Sequence, residues 1–444
     1  MIETILSSDK KRDTKSFINV LFSNRVATVM VNWLIALSCF SYPITANIIS
    51  IANVPSTPIN ITIKAIFAIT SVILIIPYMV KYEVVFKKHL LPSFFFLVLY
   101  SVRIVYDNSF TDVRFVDHPP FYVYSFYFGT IFFPCLAIIL NARKIDVKQL
   151  FKIFFYLLLI SNVETTLNLI VFGGLSAESI EGGRAEVIND IAGEVTSVIN
   201  PILVAFYGGI LSIVTLLYLL ILDEKKSYVF KILLVIGFAL GLVNLVLGAS
   251  RGPLLSFVAL LFLMFFINFL IAKKNFRYAL NIIFVILGLI AATIKYIIPL
   301  IDSGKLNAFT RLFDFFEQKQ SGEVEYRDLA YASAWQDFLD SPIIGKQFVG
   351  TFDTFYPHNI ILEVFMATGI IGAFFFIGMF FSIIYKSLFV IRTVDRNMIG
   401  ILVLLLYKLM TCLTSSCLFE DNVFWVMICI FLSIDKIPLK PNLK

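Results

Sequence analysis

Residues 302–357 read DSGKLNAFTRLFDFFEQKQSGEVEYRDLAYASAWQDFLDSPIIGKQFVGTFDTFYP. They form the one long polar interruption in a mostly apolar chain, and they divide the apolar segments into two groups. Long loops in a compact protein are usually functional or disordered. Because this one has helical patterning and many aromatic residues, we expect it to be ordered and to carry function, together with the neighbouring His358.

The composition around this loop is that of a helical membrane protein. Of 444 residues, 59% are hydrophobic and 15% charged, with a mean hydropathy of +0.89. Soluble domains carry about 25% charged residues, and apolar runs of about 20 residues span a bilayer. The short alternating segments of a membrane β-barrel do not occur. We therefore predict an all-α polytopic fold and do not interpret the net charge of +6 as nucleic-acid binding.

Hydropathy predicts about twelve transmembrane helices. The segments are 26–48, 62–80, 89–106, 121–140, 150–171, 197–222, 229–247, 253–272, 278–300, 359–385, 397–416 and 421–435. The predicted organisation is a cytoplasmic N-tail (1–25), helices 1–9 (26–301), a large periplasmic loop (302–357), helices 10–12 (358–435) and a cytoplasmic C-tail (436–444).

The distribution of basic residues predicts the orientation. With the N-tail in the cytoplasm, most of the 36 Lys and Arg fall in cytoplasmic tails and loops. Short cytoplasmic loops of membrane proteins are enriched in these residues. Both termini are then inside and the long loop outside. The first apolar segment lacks a small-residue cleavage site, so we expect a retained helix. The five cysteines lie in or beside apolar runs, without metal-ligand spacing, and fit packing roles.

Arg251 lies in the tight outer turn Gly248-Ala249-Ser250-Arg251-Gly252, before Pro253. Proline suits the first position of a helix, and N–H groups at a helix start attract anions. The planar guanidinium binds phosphate oxygens in pairs. A phosphate site is thus one interpretation of Arg251, and an interfacial anchor is the other.

Arg327 lies on a helix predicted for residues 325–339. It shares one face with the apolar residues Tyr331, Ala334, Trp335 and Phe338. The guanidinium is therefore directed towards protein or the membrane interface. A snorkelling arginine or a structural ion pair is the alternative to a functional role.

His358 follows Pro357 at the start of a long apolar helix. The positive end of a helix disfavours protonated imidazole, and a neutral imidazole can act as a general base near pH 7. A structural histidine is the alternative. Asn359 could cap the helix or bind ligand. Glu164, Glu363 and Lys408 are charges within apolar segments, and a buried pair of Lys408 with a carboxylate is plausible.

Several catalytic motifs do not occur in the sequence. It has no P-loop, no His-Glu-x-x-His zinc pattern and no serine nucleophile elbow. Outward-facing arginines with one histidine suit transfer from a pyrophosphate-linked donor, with arginines in place of a metal ion. We expect neither a metal nor a cofactor.

The chain resembles the O-antigen ligase and polymerase superfamily of bacterial envelope glycan assembly over roughly residues 180–385. The resemblance rests on several short motifs, which are Gly248 to Leu255, Arg327 with Trp335, Pro342-Ile343-Ile344-Gly345, Pro357-His358-Asn359 with Leu362, Gly369-Ile370-Ile371-Gly372, and Gly183-Arg184 ahead of Asn200-Pro201. One departure is Ala367, where many relatives place an acid.

The resemblance implies a GT-C-like glycosyltransferase with about twelve helices and short helices in its periplasmic loop. It would sit in the bacterial inner membrane and transfer a glycan from undecaprenyl pyrophosphate to a hydroxyl. Arg251 and Arg327 would bind the pyrophosphate, His358 would activate the acceptor hydroxyl, and Arg184 would be a secondary contact. Asn359 and Glu363 are further candidates for substrate binding.

Two activities share these motifs. A polymerase joins the chain to another lipid-linked repeat unit, and a ligase moves it to the lipid A-core. The Phe-rich chain and its Ser-Arg-Gly-Pro turn are more similar to polymerases. A chain-length regulator and a flippase of the pathway would be partners. A flippase for the same lipid-linked sugars is the alternative from a different class, although no internal repeat is evident.

Overall fold

The computed structural model describes a bundle of long helices. The described residues are 24–80, 87–113, 115, 119–171, 187–191, 194–222, 227–272, 288, 295, 326–352 and 355–434. Within these ranges, nine helices are long and apolar enough to cross a membrane, and two shorter apolar helices accompany them. The predicted multi-pass helical architecture is therefore confirmed.

The elements are numbered in chain order. They are α1 (Asn24–Ala52), α2 (Ser56–Val80), α3 (Leu91–Phe110), α4 (Pro120–Leu140), α5 (Val147–Val171), β1 (Val187–Ile191), β2 (Glu194–Ile199), α6 (Pro201–Leu220), α7 (Tyr228–Leu247), α8 (Arg251–Ala272), α9 (Tyr326–Asp340), α10 (Ile360–Thr393), α11 (Arg396–Ser415) and α12 (Asn422–Ser433). The turns Lys88–Leu90 and Ala142–Lys144 are 3-10 helices. The predicted ninth segment, 278–300, lies outside the described residues apart from positions 288 and 295.

An antiparallel hairpin of β1 and β2 precedes α6. The sequence prediction did not include this hairpin and placed the start of the sixth membrane segment at 197 instead of at Pro201. Residues 197–199 belong to β2, because the β-branched residues of this segment favour a strand and the helix begins only after Asn200. The Asn200 side chain accepts a hydrogen bond from Leu203 N, with Pro201 in the first helical turn.

Close helix packing in the middle of the bundle depends on glycine and asparagine. A Cβ at Gly208 on α6 would lie 2.4 Å from Leu245 N on α7, so the two backbones are in contact. Asn244 on α7 donates to Asn162 Oδ1 on α5 at 2.8 Å. Small residues and amide bonds of this kind hold helices together where lipid removes the hydrophobic drive for association.

A kink in α10 is the structural feature that fixes the outer loop. Gly369 has φ 59° and ψ −158°, which interrupts the helix. The break frees backbone groups of α10. Ile370 N donates to Pro342 O at 2.8 Å and Ile371 N donates to Ile343 O at 3.2 Å, while Met366 O accepts from Lys346 N at 2.8 Å. The motifs at 342–345 and 369–372 therefore belong together, because each supplies the backbone partners of the other.

Basic residues surround the far end of α12, away from its start at Asn422. Lys87 donates to Ser433 O, Lys386 donates to Leu432 O at 3.0 Å, and the His89 ring lies 2.8 Å from the same carbonyl. Cations stabilise the carbonyl end of a helix. His89 thus has a structural role at this end of the bundle.

Candidate active site

The turn between α7 and α8 holds Arg251 at the start of α8. Ala249 has a positive φ of 46°, so the chain reverses sharply there. A Cβ at Gly248 would lie 2.5 Å from Pro201 O, and one at Gly252 would lie 2.4 Å from Thr414 Oγ1. The glycines on both sides therefore allow the turn to fit against α6 and α11, and this contact fixes the position of the arginine.

Arg251 and Arg327 line the same cavity, which we call the arginine cavity. Its volume is about 270 Å³, and its lining consists of Ile202, Ser250, Arg251, Gly252, Tyr326, Arg327 and Ser415. Both arginine side chains are partly exposed. Two guanidinium groups with hydroxyl groups beside them form a pocket suited to an anion with several oxygens, such as a diphosphate.

The helix α9 that carries Arg327 is anchored by a buried acid at its other end. Asp337 accepts from Lys346 Nζ at 2.8 Å and from Thr351 N at 3.0 Å. The sequence prediction directed the face of α9 that carries Trp335 towards protein or the membrane interface, and 47% of Trp335 is exposed. The carboxylate of Asp337 is buried, and the following segment supplies its hydrogen-bond donors.

His358 lines a second cavity of about 320 Å³, which we call the histidine cavity. The residue has φ 54°, and its ring packs against Tyr356 with 4.7 Å between centroids. Asn359 caps α10, since its side chain accepts from Ile361 N and Leu362 N. Asn359 lines neither cavity, so the amide serves the helix start that positions His358.

The two cavities adjoin each other. Ile202 and Ser415 line both of them. The sequence prediction requires Arg251, Arg327 and His358 to converge on one cavity. The structure brings the two arginines into one cavity and His358 into its neighbour, while their catalytic roles stay predictions.

The turn between α11 and α12 carries two acids with different environments. Asp421 is buried and accepts from Lys408 Nζ at 2.7 Å and from Phe424 N at 3.0 Å. The plausible pair of Lys408 with a carboxylate is therefore present, and it joins α11 to the start of α12. Asp421 is fully engaged in holding this turn.

Glu420 faces the histidine cavity and has fewer contacts. Its Oε1 accepts from the Tyr122 hydroxyl at 3.1 Å, and its Oε2 has only a weak contact with the Cys417 thiol at 3.8 Å. Burial raises the pKa of the Glu420 carboxyl above its usual range, while the Tyr122 hydroxyl and the charge of Lys64 oppose the shift. This acid is the one that a ligand in the cavity could reach.

Glu363, a predicted substrate contact, is completely buried and lines neither cavity. Its carboxylate accepts from the Tyr100 hydroxyl at 2.5 Å, and Leu418 N donates to its two oxygens at 3.0 and 2.9 Å. It therefore ties α10 to α3 and to the turn before α12. Arg184 lies outside the described residues, and the Glu164 Oε2 atom is buried without a hydrogen-bond partner among those described.

Lys64 and Arg103 are cations inside apolar segments that the sequence prediction did not single out. Lys64 on α2 lines the histidine cavity. Arg103 on α3 donates to the carbonyls of Ile344, Gly345, Lys346 and Ala367 at 2.7 to 3.0 Å. Each was recognisable as a charge within an apolar run, which is costly unless it has a partner or a function.

Comparison with known proteins gives a family match over part of the chain. Residues 232–377 match a family model described as O-antigen ligase. The match covers the arginine turn, α9 and the first half of α10. It confirms the resemblance to the O-antigen ligase and polymerase superfamily. A search of the curated proteins finds no match.

Proposed function

We propose that this protein, which carries an O-antigen ligase family segment, is a glycosyltransferase of surface polysaccharide assembly. It transfers a glycan from undecaprenyl pyrophosphate to a sugar hydroxyl at the periplasmic face of the bacterial inner membrane. The observation that carries the proposal is the cavity shared by Arg251 and Arg327, next to the cavity that contains His358.

The reaction forms one bond and breaks one. The acceptor hydroxyl oxygen attacks the anomeric carbon of the donor sugar, and the bond from that carbon to the pyrophosphate oxygen breaks. His358 takes the hydroxyl proton as general base. Undecaprenyl pyrophosphate leaves with the electron pair, and Arg251 and Arg327 offset its charge.

The separation of the cavities supports this division of roles. The arginine cavity offers guanidinium groups and hydroxyls, which suit a diphosphate. The histidine cavity offers aromatic rings together with both carboxylates and lysines, which suit a sugar that donates and accepts hydrogen bonds. A donor whose diphosphate lies in the first would bring its anomeric carbon to the border at Ile202 and Ser415. The acceptor would approach that border from the side of His358.

We favour a polymerase, which adds the chain to another lipid-linked repeat unit. The Phe-rich sequence and the Ser-Arg-Gly-Pro turn support this choice. The second candidate is a ligase that transfers the polymer to the lipid A-core, and the description of the matched family favours it. The two activities share the donor and differ in the acceptor.

Deletion of the gene in its source cells tests the function and separates the candidates. Lipopolysaccharide capped with a single repeat unit is the result expected for a polymerase. Polymer retained on the lipid carrier, together with bare core, identifies a ligase. Repeat units trapped at the cytoplasmic face would contradict both and indicate a flippase.

A further inference from the structure

The histidine cavity contains a buried lysine that the proposed chemistry does not use. Lys64 lies on α2 and is 8% exposed. Its Nζ lies 4.1 Å from the centroid of the Phe126 ring and 4.6 Å from that of Tyr122. An ammonium has three hydrogen-bond donors, and a charge placed at this depth in an apolar helix is costly. Two aromatic faces compensate for only part of this cost.

Glu420 lines the same cavity. The Tyr122 side chain contacts both groups, since its ring faces Lys64 Nζ and its hydroxyl donates to Glu420. Among the described residues, no carboxylate oxygen lies within the 4.0 Å of Lys64 Nζ that an ion pair requires. The ammonium and the carboxylate therefore line one cavity without forming an ion pair with each other.

A ligand between these two groups must both accept and donate hydrogen bonds. A sugar ring with neighbouring hydroxyls meets this requirement, because one oxygen can accept from Lys64 and the next hydroxyl can donate to Glu420. Its C–H face can pack on the aromatic rings of the lining, among them Tyr42, Tyr122 and Phe126. A diphosphate would be repelled by Glu420, and a hydrocarbon would leave both charges without partners.

We propose that Lys64 and Glu420 form the subsite that binds the acceptor sugar, separate from the arginine cavity that binds the donor diphosphate. This inference rests on the proposed glycosyl transfer. The cavity of about 320 Å³ lies at the lower end of the range for small-ligand sites, about 300 to 1,000 Å³. His358 lines the same cavity, so a further hydroxyl of the bound sugar faces the general base.

Asp421 is the internal comparison for Glu420. It also lines the cavity, but it is engaged by Lys408, Ser416, Cys412 and the start of α12. The two adjacent acids therefore have different tasks. Asp421 holds the turn, and Glu420 is presented to the ligand.

Equilibrium binding with two probes tests the subsite. The first probe is the glycan released by mild acid from the lipid-linked oligosaccharide that accumulates in source cells lacking this protein, labelled with a fluorophore at its reducing end. The second is undecaprenyl pyrophosphate without glycan. Both are titrated against the full chain in lipid nanodiscs, so the readout does not require catalytic activity.

Lys64→Met and Glu420→Gln should each raise the Kd of the glycan about tenfold or more, as expected for the loss of one charge-assisted hydrogen bond. Their Kd for undecaprenyl pyrophosphate should stay within about twofold of the wild-type value. Arg327→Ala should show the opposite pattern. Thr62→Val is the control, because Thr62 is exposed and lies on α2 two residues before Lys64. This variant should change neither the Kd of the glycan nor that of undecaprenyl pyrophosphate.

Glycan binding that survives in both variants, or that is absent in the wild-type protein, overturns the acceptor subsite. If Lys64→Met and Glu420→Gln lose the binding of both probes, the acceptor subsite is also overturned, because that pattern indicates a structural role for the two residues. If the wild-type protein binds the glycan but not undecaprenyl pyrophosphate, the proposed function fails instead. The two ideas therefore fail by different results.

Discussion

Replacement of Arg103 by methionine should detach the outer segment from α3. The guanidinium donates to the carbonyls of Ile344, Gly345, Lys346 and Ala367 and pairs with Asp107 at 3.2 Å. A hydrogen bond of this kind contributes about 1 kcal/mol net. Loss of the four carbonyl bonds therefore predicts a decrease of about 4 kcal/mol in the free energy of unfolding.

The same change should reduce activity, because the segment that Arg103 holds connects α9 to α10. Phe348 N also donates to Asp107 at 2.8 Å, so this carboxylate would lose its basic partner while it still holds the segment. Arg327 and His358 lie on opposite sides of the segment. We therefore expect glycan transfer to fall at least about tenfold, which corresponds to about 1.4 kcal/mol of lost transition-state stabilisation.

Denaturant titration of the purified protein in detergent micelles measures the stability, and glycan transfer is assayed in parallel. Arg392→Met is the matched control, since Arg392 is exposed near the end of α10. A free energy of unfolding for Arg103→Met within about 1 kcal/mol of the wild-type value would refute the reasoning.

Four further predictions follow from the site and from the kink in α10. Arg251→Ala, Arg327→Ala and His358→Ala should each abolish glycan transfer while membrane insertion is retained, as measured by transfer assay and by quantitative blot of membranes. Activity should persist in EDTA, because arginines offset the charge of the leaving group. Gly369→Ala should unfold at lower denaturant concentration, since Gly369 has a positive φ of 59° and an added Cβ would lie 2.5 Å from Ile343 O. Glu420→Gln should be at least as stable as the wild type at pH 7. Burial raises the pKa of the Glu420 carboxyl in the folded state, so its ionisation destabilises the wild-type fold as the pH rises above the ordinary pKa of a glutamate. Below that pH, the difference in stability between the two proteins should disappear.

The outcomes that contradict these predictions are specific. Glycan transfer at the wild-type rate in all three alanine variants would refute the assignment of Arg251, Arg327 and His358 to the active site. Loss of activity in EDTA that a divalent ion restores would contradict the role of the arginines. Wild-type stability of Gly369→Ala would show that the kink is not required. A Glu420→Gln variant less stable than the wild type at pH 7 would show that ionised Glu420 stabilises the fold.

The helices could be predicted from sequence because membrane burial leaves a strong local signal. Their positions follow from runs of apolar residues, and each boundary depends on nearby side chains such as Asn200 and Asp395, which cap α6 and α11. The hairpin before α6 was missed because its segments are short. Arg251 and Arg327 could also be identified from local patterns. Arg251 lies in a tight glycine turn, and Arg327 is a charged residue on an apolar helix face.

The rest of the site depends on contacts between distant residues. Arg103 meets a carbonyl 264 positions along the chain, and Tyr122 meets Glu420 at a separation of 298. Periodicity carries no information about such pairs. The sequence shows Glu420 and Asp421 as one acidic pair, and only the fold reveals that Asp421 is engaged by Lys408 while Glu420 faces the cavity.

The most direct test of the account is a cryo-EM structure of the full chain in nanodiscs with undecaprenyl pyrophosphate. We predict density for the diphosphate in the arginine cavity, in contact with both Arg251 and Arg327, with its terminal phosphate, which carries the glycan in the donor, directed towards Ile202 and Ser415. Diphosphate density that contacts neither arginine would contradict the proposed donor site.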